Sequence, residues 1–183
     1  MKSFFRKNLF VIILFFSLSN FVSAECNFIT DIGGKFTPQM QEEYGHIYYD
    51  GDSNLGILVA STEDECPEDR IKEASVVYSF LDNELASIHI VANNEETENE
   101  VTNSFSIMDY AIRTYGPIDT GADRQFYNDY KIWEKNNQIV SYKRDINLKI
   151  FQEEILITNK KYQKELFNNK MSEEIVFEDD GQN

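Results

Sequence analysis

The sequence predicts an α+β fold: a mostly antiparallel sheet built from hairpins, packed by one main helix over about residues 97–115 and a short C-terminal helix. Three observations predict it. Ala74, Val76, Tyr78 and Phe80 alternate with Ser75, Val77, Ser79 and Leu81; after Asp82-Asn83-Glu84, Ala86, Ile88, Ile90 and Ala92 alternate with Ser87, His89 and Val91. A period of two marks a strand, and two such runs joined by turn residues make a hairpin with one apolar face. Next, Val101, Phe105, Met108, Ile112 and Tyr115 recur every three or four residues, which puts them in one stripe along a helix. Finally, the strands come as hairpins with few helices between them, which favours an antiparallel sheet with helices on one side.

The remaining elements follow in chain order. Thr37-Pro38 offers an N-cap and a first-turn proline, so a short helix can cover Pro38 to Glu43, with Gly45 ending it. His46 to Tyr49 and Leu55 to Ala60 read as strands around an Asp-Gly-Asp-Ser-Asn turn. Thr97-Glu98-Asn99-Glu100 fits a capping box that would start the main helix. Gly116 can take a left-handed cap position, and Pro117 stops any continuation. A polar loop, Ile118 to Asn128, leads to a second sheet segment. There Ile132-Trp133 and Ile139 to Tyr142 flank Asn136-Asn137, which can adopt the positive φ of a tight turn. Leu148 to Phe151 reads as strand or turn, and Ile155 to Thr158 as a further strand. Asn159 can cap a closing helix over Lys160 to Asn169, with Tyr162 and Leu166 facing inward. Residues 171–183 hold five acids and no basic residue and are expected to form a mobile tail.

The first 24 residues read as a cleaved secretory signal. Lys2, Arg6 and Lys7 precede a run of eight apolar residues, Leu9 to Phe16, and Val22-Ser23-Ala24 supplies the small-residue cleavage pattern. A membrane-spanning helix needs about 20 apolar residues, so this run is too short to remain as an anchor. Glu25 before Cys26 departs from a lipobox, which wants a small residue there. The expected location is periplasmic or secreted, with no stable membrane anchor after cleavage, and residues 25–170 are expected to form one domain.

Removing 24 of 183 residues leaves 159; the leader takes three of 17 basic residues, so 14 remain against 32 acids. Such a chain is repelled by nucleic acid, and no nucleic-acid partner is expected. The charge is uneven. Residues 131–170 hold nine basic and five acidic residues between an acidic body and the acidic tail. Lys143, Arg144, Lys149, Lys160, Lys161 and Lys164 could therefore dock an acidic partner, or pair with the protein's own acids.

Cys26 and Cys66 are the only two cysteines, an even count in an exported chain, and predict a disulfide. Closing a loop of about 40 residues would stabilise the fold by about 4 kcal/mol in the chain-entropy account. It would also tie the mature N-terminus to the segment before the first long hairpin.

The sequence carries no catalytic signature. Nucleophilic catalysis needs a Ser or Cys beside an orienting base, but there is no Gly-x-Ser-x-Gly elbow, and only His46 and His89 could serve as the base. Those two histidines and a disulfide do not make a zinc site. No phosphate loop or dinucleotide fingerprint is present, and no cofactor is expected. Asp50, Asp52 and Asn54 alternate ahead of Gly56, and such oxygens can wrap a hard cation such as calcium. The same residues are ordinary turn formers, and the spacing is not that of an EF-hand.

The element order over residues 74–167 resembles small exported bacterial proteins with a helix on an antiparallel sheet. It is similar to the β-barrel-assembly lipoproteins and to β-lactamase-inhibitor-like domains. That resemblance implies an envelope binding module and transfers no functional residue. The expected function is an exported, non-enzymatic binding or structural module with a protein or envelope partner. The alternatives are a small-ligand or calcium-binding protein and, further off, a carboxylate-based hydrolase.

Overall fold

Seven antiparallel strands form one sheet, and the sequence of turns explains its order. The structure, a computed structural model, describes residues 26–49, 54–67, 71, 74–92, 105–147 and 150–167. In chain order the elements are α1 (Pro38–Tyr44), β1 (Tyr48–Tyr49), β2 (Leu55–Ser61), α2 (Thr62–Glu65), β3 (Ala74–Leu81) and β4 (Glu84–Ala92). Then come α3 (Ser106–Tyr115), a 3-10 turn (Arg124–Phe126), β5 (Tyr130–Glu134), β6 (Gln138–Asn147) and β7 (Ile150–Asn159). Residues 163–167 add a last helical turn. The strand order is β1-β2-β3-β4-β7-β6-β5, so two antiparallel meanders meet where β7 pairs with β4. The fold is α+β, as the hairpin pattern predicts.

The β3–β4 hairpin turns on two residues, Asp82 and Asn83, with φ of 51° and 65°. Positive φ at both central positions is the geometry that matches the twist of the flanking strands. Past the turn the register shifts at Ser79/Phe80: Ser79 faces Ser87 while Phe80 faces Leu85, leaving Ala86 as the extra residue of a bulge. A strict alternation puts Ala86 on the same face as Ile88. The bulge instead puts it with Leu81, Tyr162 and Leu166 in a separate apolar cluster.

One sheet face carries the main core. Val76, Tyr78, Phe80, Ile88, Ile90, Val140, Tyr142, Ile155 and Ile157 are buried there beneath Ile107, Met108, Tyr110 and Ala111 of α3. An N-terminal strap, residues 26–36, packs beside the helix. Phe28 meets the Tyr78 ring edge-on, and Phe36 meets Phe80. The Cys26–Cys66 disulfide is formed, and the Asn27 N–H donates to the Glu65 carbonyl, so the strap is fastened at its start. Gly33 and Gly34 bond the backbone of Leu85 and hold its other end.

Several boundaries differ from the sequence reading. Helix α3 starts at Ser106, because Phe105 takes a left-handed conformation (φ 49°, ψ 22°) that a continuous helix from Thr97 cannot contain. The predicted capping box at Thr97–Glu100 lies outside the described residues, as does Val101. The cap of α3 comes from far away: the Glu153 carboxylate on β7 accepts the Met108 N–H at 3.1 Å. Gly116 ends the helix with φ 120° and ψ 179°, an extended mirror-image conformation open only to glycine rather than the left-handed cap. The Asn136-Asn137 hairpin forms, closed by Lys135 N–H donating to the Gln138 carbonyl at 3.0 Å, but neither asparagine has positive φ. Leu148 and Lys149 lie outside the described residues; β6 and β7 are two ten-residue strands paired from Asn147↔Ile150 to Gln138↔Asn159, so Ile150 and Phe151 are strand. α2, capped by the Ser61 hydroxyl on the Glu63 N–H, has no counterpart in the sequence reading.

Candidate functional site

The second sheet face is built from the residues that alternate with the core. Cross-strand pairing sets them in rows. One row runs Ile57, Ser79, Ser87, Thr158, Ile139 across β2, β3, β4, β7 and β6. The next runs Val77, His89, Leu156, Ser141, Ile132 across β3, β4, β7, β6 and β5. Short hydroxyl side chains occupy the middle of the first row, and longer aliphatic chains stand at its ends. The result is a trough of about 530 Å³ with a floor of hydroxyls and walls of Ile, Leu and Val. Leu55, Leu166 and Phe167 close one end. Among the described residues only the last helical turn lies over this face. Leu166 of that turn and Tyr162 just before it are buried against Leu81 and Ala86, as the inward-facing assignment of those two residues expects. Phe167 is 63% exposed and Ile132 51% exposed, large apolar side chains at opposite ends of the face.

Polar groups mark the other end. His89 Nε2 lies 2.8 Å from Glu154 Oε2, and the Gln152 amide donates to the same oxygen at 3.1 Å. The hydrogen bond and charge of His89 hold the Glu154 carboxyl below its ordinary value. Lys143 pairs with Glu154 in the next cross-strand row and lies 3.9 Å from Asp145. An apolar channel with hydroxyls beneath and charges at one end can take an apolar chain or an amphipathic segment by burial, with polar groups to orient it.

The six basic residues singled out for an acidic partner do not form one patch. Arg144 is a correction: only 2% exposed, its guanidinium lies 4.3 Å from the centre of the Phe105 ring and 3.8 Å from Glu153. Lys160 reaches Glu134 at 3.3 Å, and Lys161 reaches Glu84 at 3.0 Å and the Tyr162 hydroxyl at 2.8 Å. Lys143 and Lys164 are exposed, and Lys149 lies outside the described residues. Thus Lys160 and Lys161 pair with the protein's own acids, the second of the two readings of this basic stretch.

The calcium constellation is reached only in part. Asp50 and Asp52 lie outside the described residues. The Asn54 amide donates to Glu165 at 3.1 Å and to Asp82 at 3.4 Å, which ties the β2 start to the last helical turn. Gly56 belongs to packing: a Cβ there would stand 2.3 Å from Ile47 Cγ2. Among the described residues no group of three or more His, Cys, Asp or Glu could hold a metal ion.

Two buried carboxylates escaped the sequence reading among 32 acids. Glu65 accepts a very short hydrogen bond from the Tyr78 hydroxyl, and burial pushes its carboxyl above the ordinary range. Glu153 accepts from the Tyr142 hydroxyl at 2.7 Å and from Met108 N–H, and burial raises it too. Neither lines the trough or the smaller cavity of about 300 Å³ where the strap meets α3. Their tyrosine partners are the only local signal, and those tyrosines sit in strands indistinguishable by pattern from other core positions. His46, whose Nδ1 lies 2.8 Å from the Gln41 amide, is exposed and remote from both acids in the chain. No described helix is long and apolar enough to cross a membrane. Compared with protein-family models, curated proteins and solved structures, the chain matches none of them.

Proposed function

We propose that the chain is an exported, non-enzymatic binding module that works in the periplasm or outside the cell and takes a protein or envelope partner on the open face of its sheet. The observation that carries this reading is the trough: two rows of strand residues, apolar at the walls, on a face that no described element covers beyond residues 162–167. A largely apolar concavity with a few polar groups at its edge is the default place for a binding site. The leader at residues 1–24 and the Cys26–Cys66 bond support an oxidising compartment.

The test is capture of the partner from native envelope by the mature chain under oxidising conditions, beside the same chain carrying Leu156→Lys. Leu156 is half-buried on the trough side. A long cation there disrupts an apolar contact while the core face is untouched. The expected outcome is a discrete partner held by the parent and lost by the variant. The same set of captured molecules with both chains would remove the trough from the function.

A further inference from the structure

The floor and rim of the trough define the chemistry of what it holds. We infer that its ligand is a single neutral amphiphile, an apolar chain or ring that carries hydroxyl or carbonyl oxygens along one edge. This inference rests on the trough being the binding surface.

Three observations carry it. The first is the floor. Ser87 and Thr158 are only 4% and 7% exposed, and both line the trough. Ser79 and Ser141 line it on the neighbouring strands β3 and β6. Among the described residues none of these four hydroxyls has a hydrogen-bond partner. A buried hydroxyl without a partner is costly, and a ligand oxygen laid against it supplies the missing bond. Adjacent strands lie about 4.8 Å apart, so Ser79, Ser87 and Thr158 set a line of polar points at that interval. The second is the walls. Ile57, Val77, Ile139 and Leu156 flank that line, and Leu55 and Phe167 close one end. The enclosed volume of about 530 Å³ falls within the range of about 300–1,000 Å³ that holds one small molecule. The third is charge. The acids that β5, β6 and β7 present on this face are already matched: Glu134 by Lys160 at 3.3 Å, Asp145 by Lys143 at 3.9 Å, and Glu154 by His89 at 2.8 Å. A charged headgroup would meet its own sign as closely as the opposite one, whereas a neutral oxygen-bearing group meets neither penalty.

Titration of the mature full-length chain with 1-monodecanoylglycerol, kept below its micelle-forming concentration, tests this. The methyl resonances of Ile57, Val77, Ile139 and Leu156 are expected to shift to saturation. The Kd should be about tenfold lower than for decanoate or decyltrimethylammonium, which put a chain of the same length on a charged head. Ser87→Ala combined with Thr158→Val keeps the shape of the floor and removes its two buried hydroxyls. It is expected to weaken the glyceride about fivefold and to leave the two charged probes unchanged. Unshifted core methyls of Ile90 and Ile155 would establish that the sheet is retained, and Ser79→Ala with Ser141→Ala repeats the test at less buried positions. Unshifted trough methyls, equal affinity for all three probes, or glyceride binding indifferent to both hydroxyl pairs would overturn the inference. Partner capture separates the two ideas. Unshifted methyls with capture still lost in Leu156→Lys remove only the amphiphile, whereas hydroxyl-dependent glyceride binding with capture unaffected by Leu156→Lys leaves the ligand in place and removes the docking function.

Discussion

The Glu153 carboxylate joins three elements at one point. It accepts the Met108 N–H at the start of α3, accepts the Tyr142 hydroxyl on β6, and faces the buried Arg144 guanidinium. Arg144 and Arg124 lie 4.3 and 4.1 Å from the centre of the Phe105 ring, the residue whose left-handed backbone opens the helix. Glu153→Ala would leave a buried cation without its carboxylate and α3 without its cap. It should cost about 3–5 kcal/mol, read as a fall in the urea midpoint. Glu65 predicts a pH dependence. Its folded carboxyl titrates above the ordinary range, so between that range and its own value the folded state holds a proton that the unfolded chain has released. Stability from this group therefore falls as pH rises through that window. Glu65→Gln removes the titration, and its urea midpoint should gain on the parent as pH is raised from 4.5 to 7. Glu154 works in the opposite sense. Its carboxyl is held low by His89, so its contribution is present above the ordinary carboxylate range and is lost as pH falls through its own lower value. None of these roles was legible in the sequence. A buried acid looks like an exposed one until the strand beside it is known, and Arg144 counts as surface charge until Phe105 is placed over it.

At the scale of elements, periodicity carries most of the information. The β3–β4 hairpin, the span of α1, the core face and the inward Tyr162 and Leu166 all follow from spacing and turn chemistry. What it misses is non-local. A one-residue bulge moves Ala86 to the other face, and the cap of α3 comes from a residue 45 positions downstream. The trough lay half in view, since Ser79, Ser87 and His89 were already on the face away from the core. Its far wall needed the register of β6 and β7, which no local pattern contains. The Asp82-Asn83 turn gives a direct test. Valine at 83 would be held at positive φ, a conformation that costs a β-branched residue about 1–2 kcal/mol. It would also lose the amide bond to the Phe36 carbonyl. Thermal denaturation of Asn83→Val should show a lower midpoint with an unchanged fold, whereas glycine at the same place should lose less.

For the whole molecule, the disulfide matters through what it fastens. It joins the strap to the end of α2 across a separation of 40 residues. The strap then covers the core face beside α3 through Phe28, Ile32 and Phe36. Replacing both cysteines with serine should cost about 2–5 kcal/mol. Hydrogen exchange should quicken first at Ile29, whose N–H donates to Tyr78, and at Gly33. If exchange rose evenly over the sheet instead, the strap would not be the part that the bond secures.

The position of β7 sets the order in which the molecule can assemble. The last of the described strands enters the middle of the sheet, against β4. Until residues 154–158 arrive, the edge bearing Ile88 and Ile90 has no neighbour, and it is among the most apolar runs in the protein. An unpaired apolar edge invites pairing with another chain. A chain synthesised N-terminus first would show that edge for as long as some sixty further residues take to follow. Its yield would then depend on how fast the second meander closes the seam, and a chaperone that shields open strands would serve it better than one that holds unfolded helices.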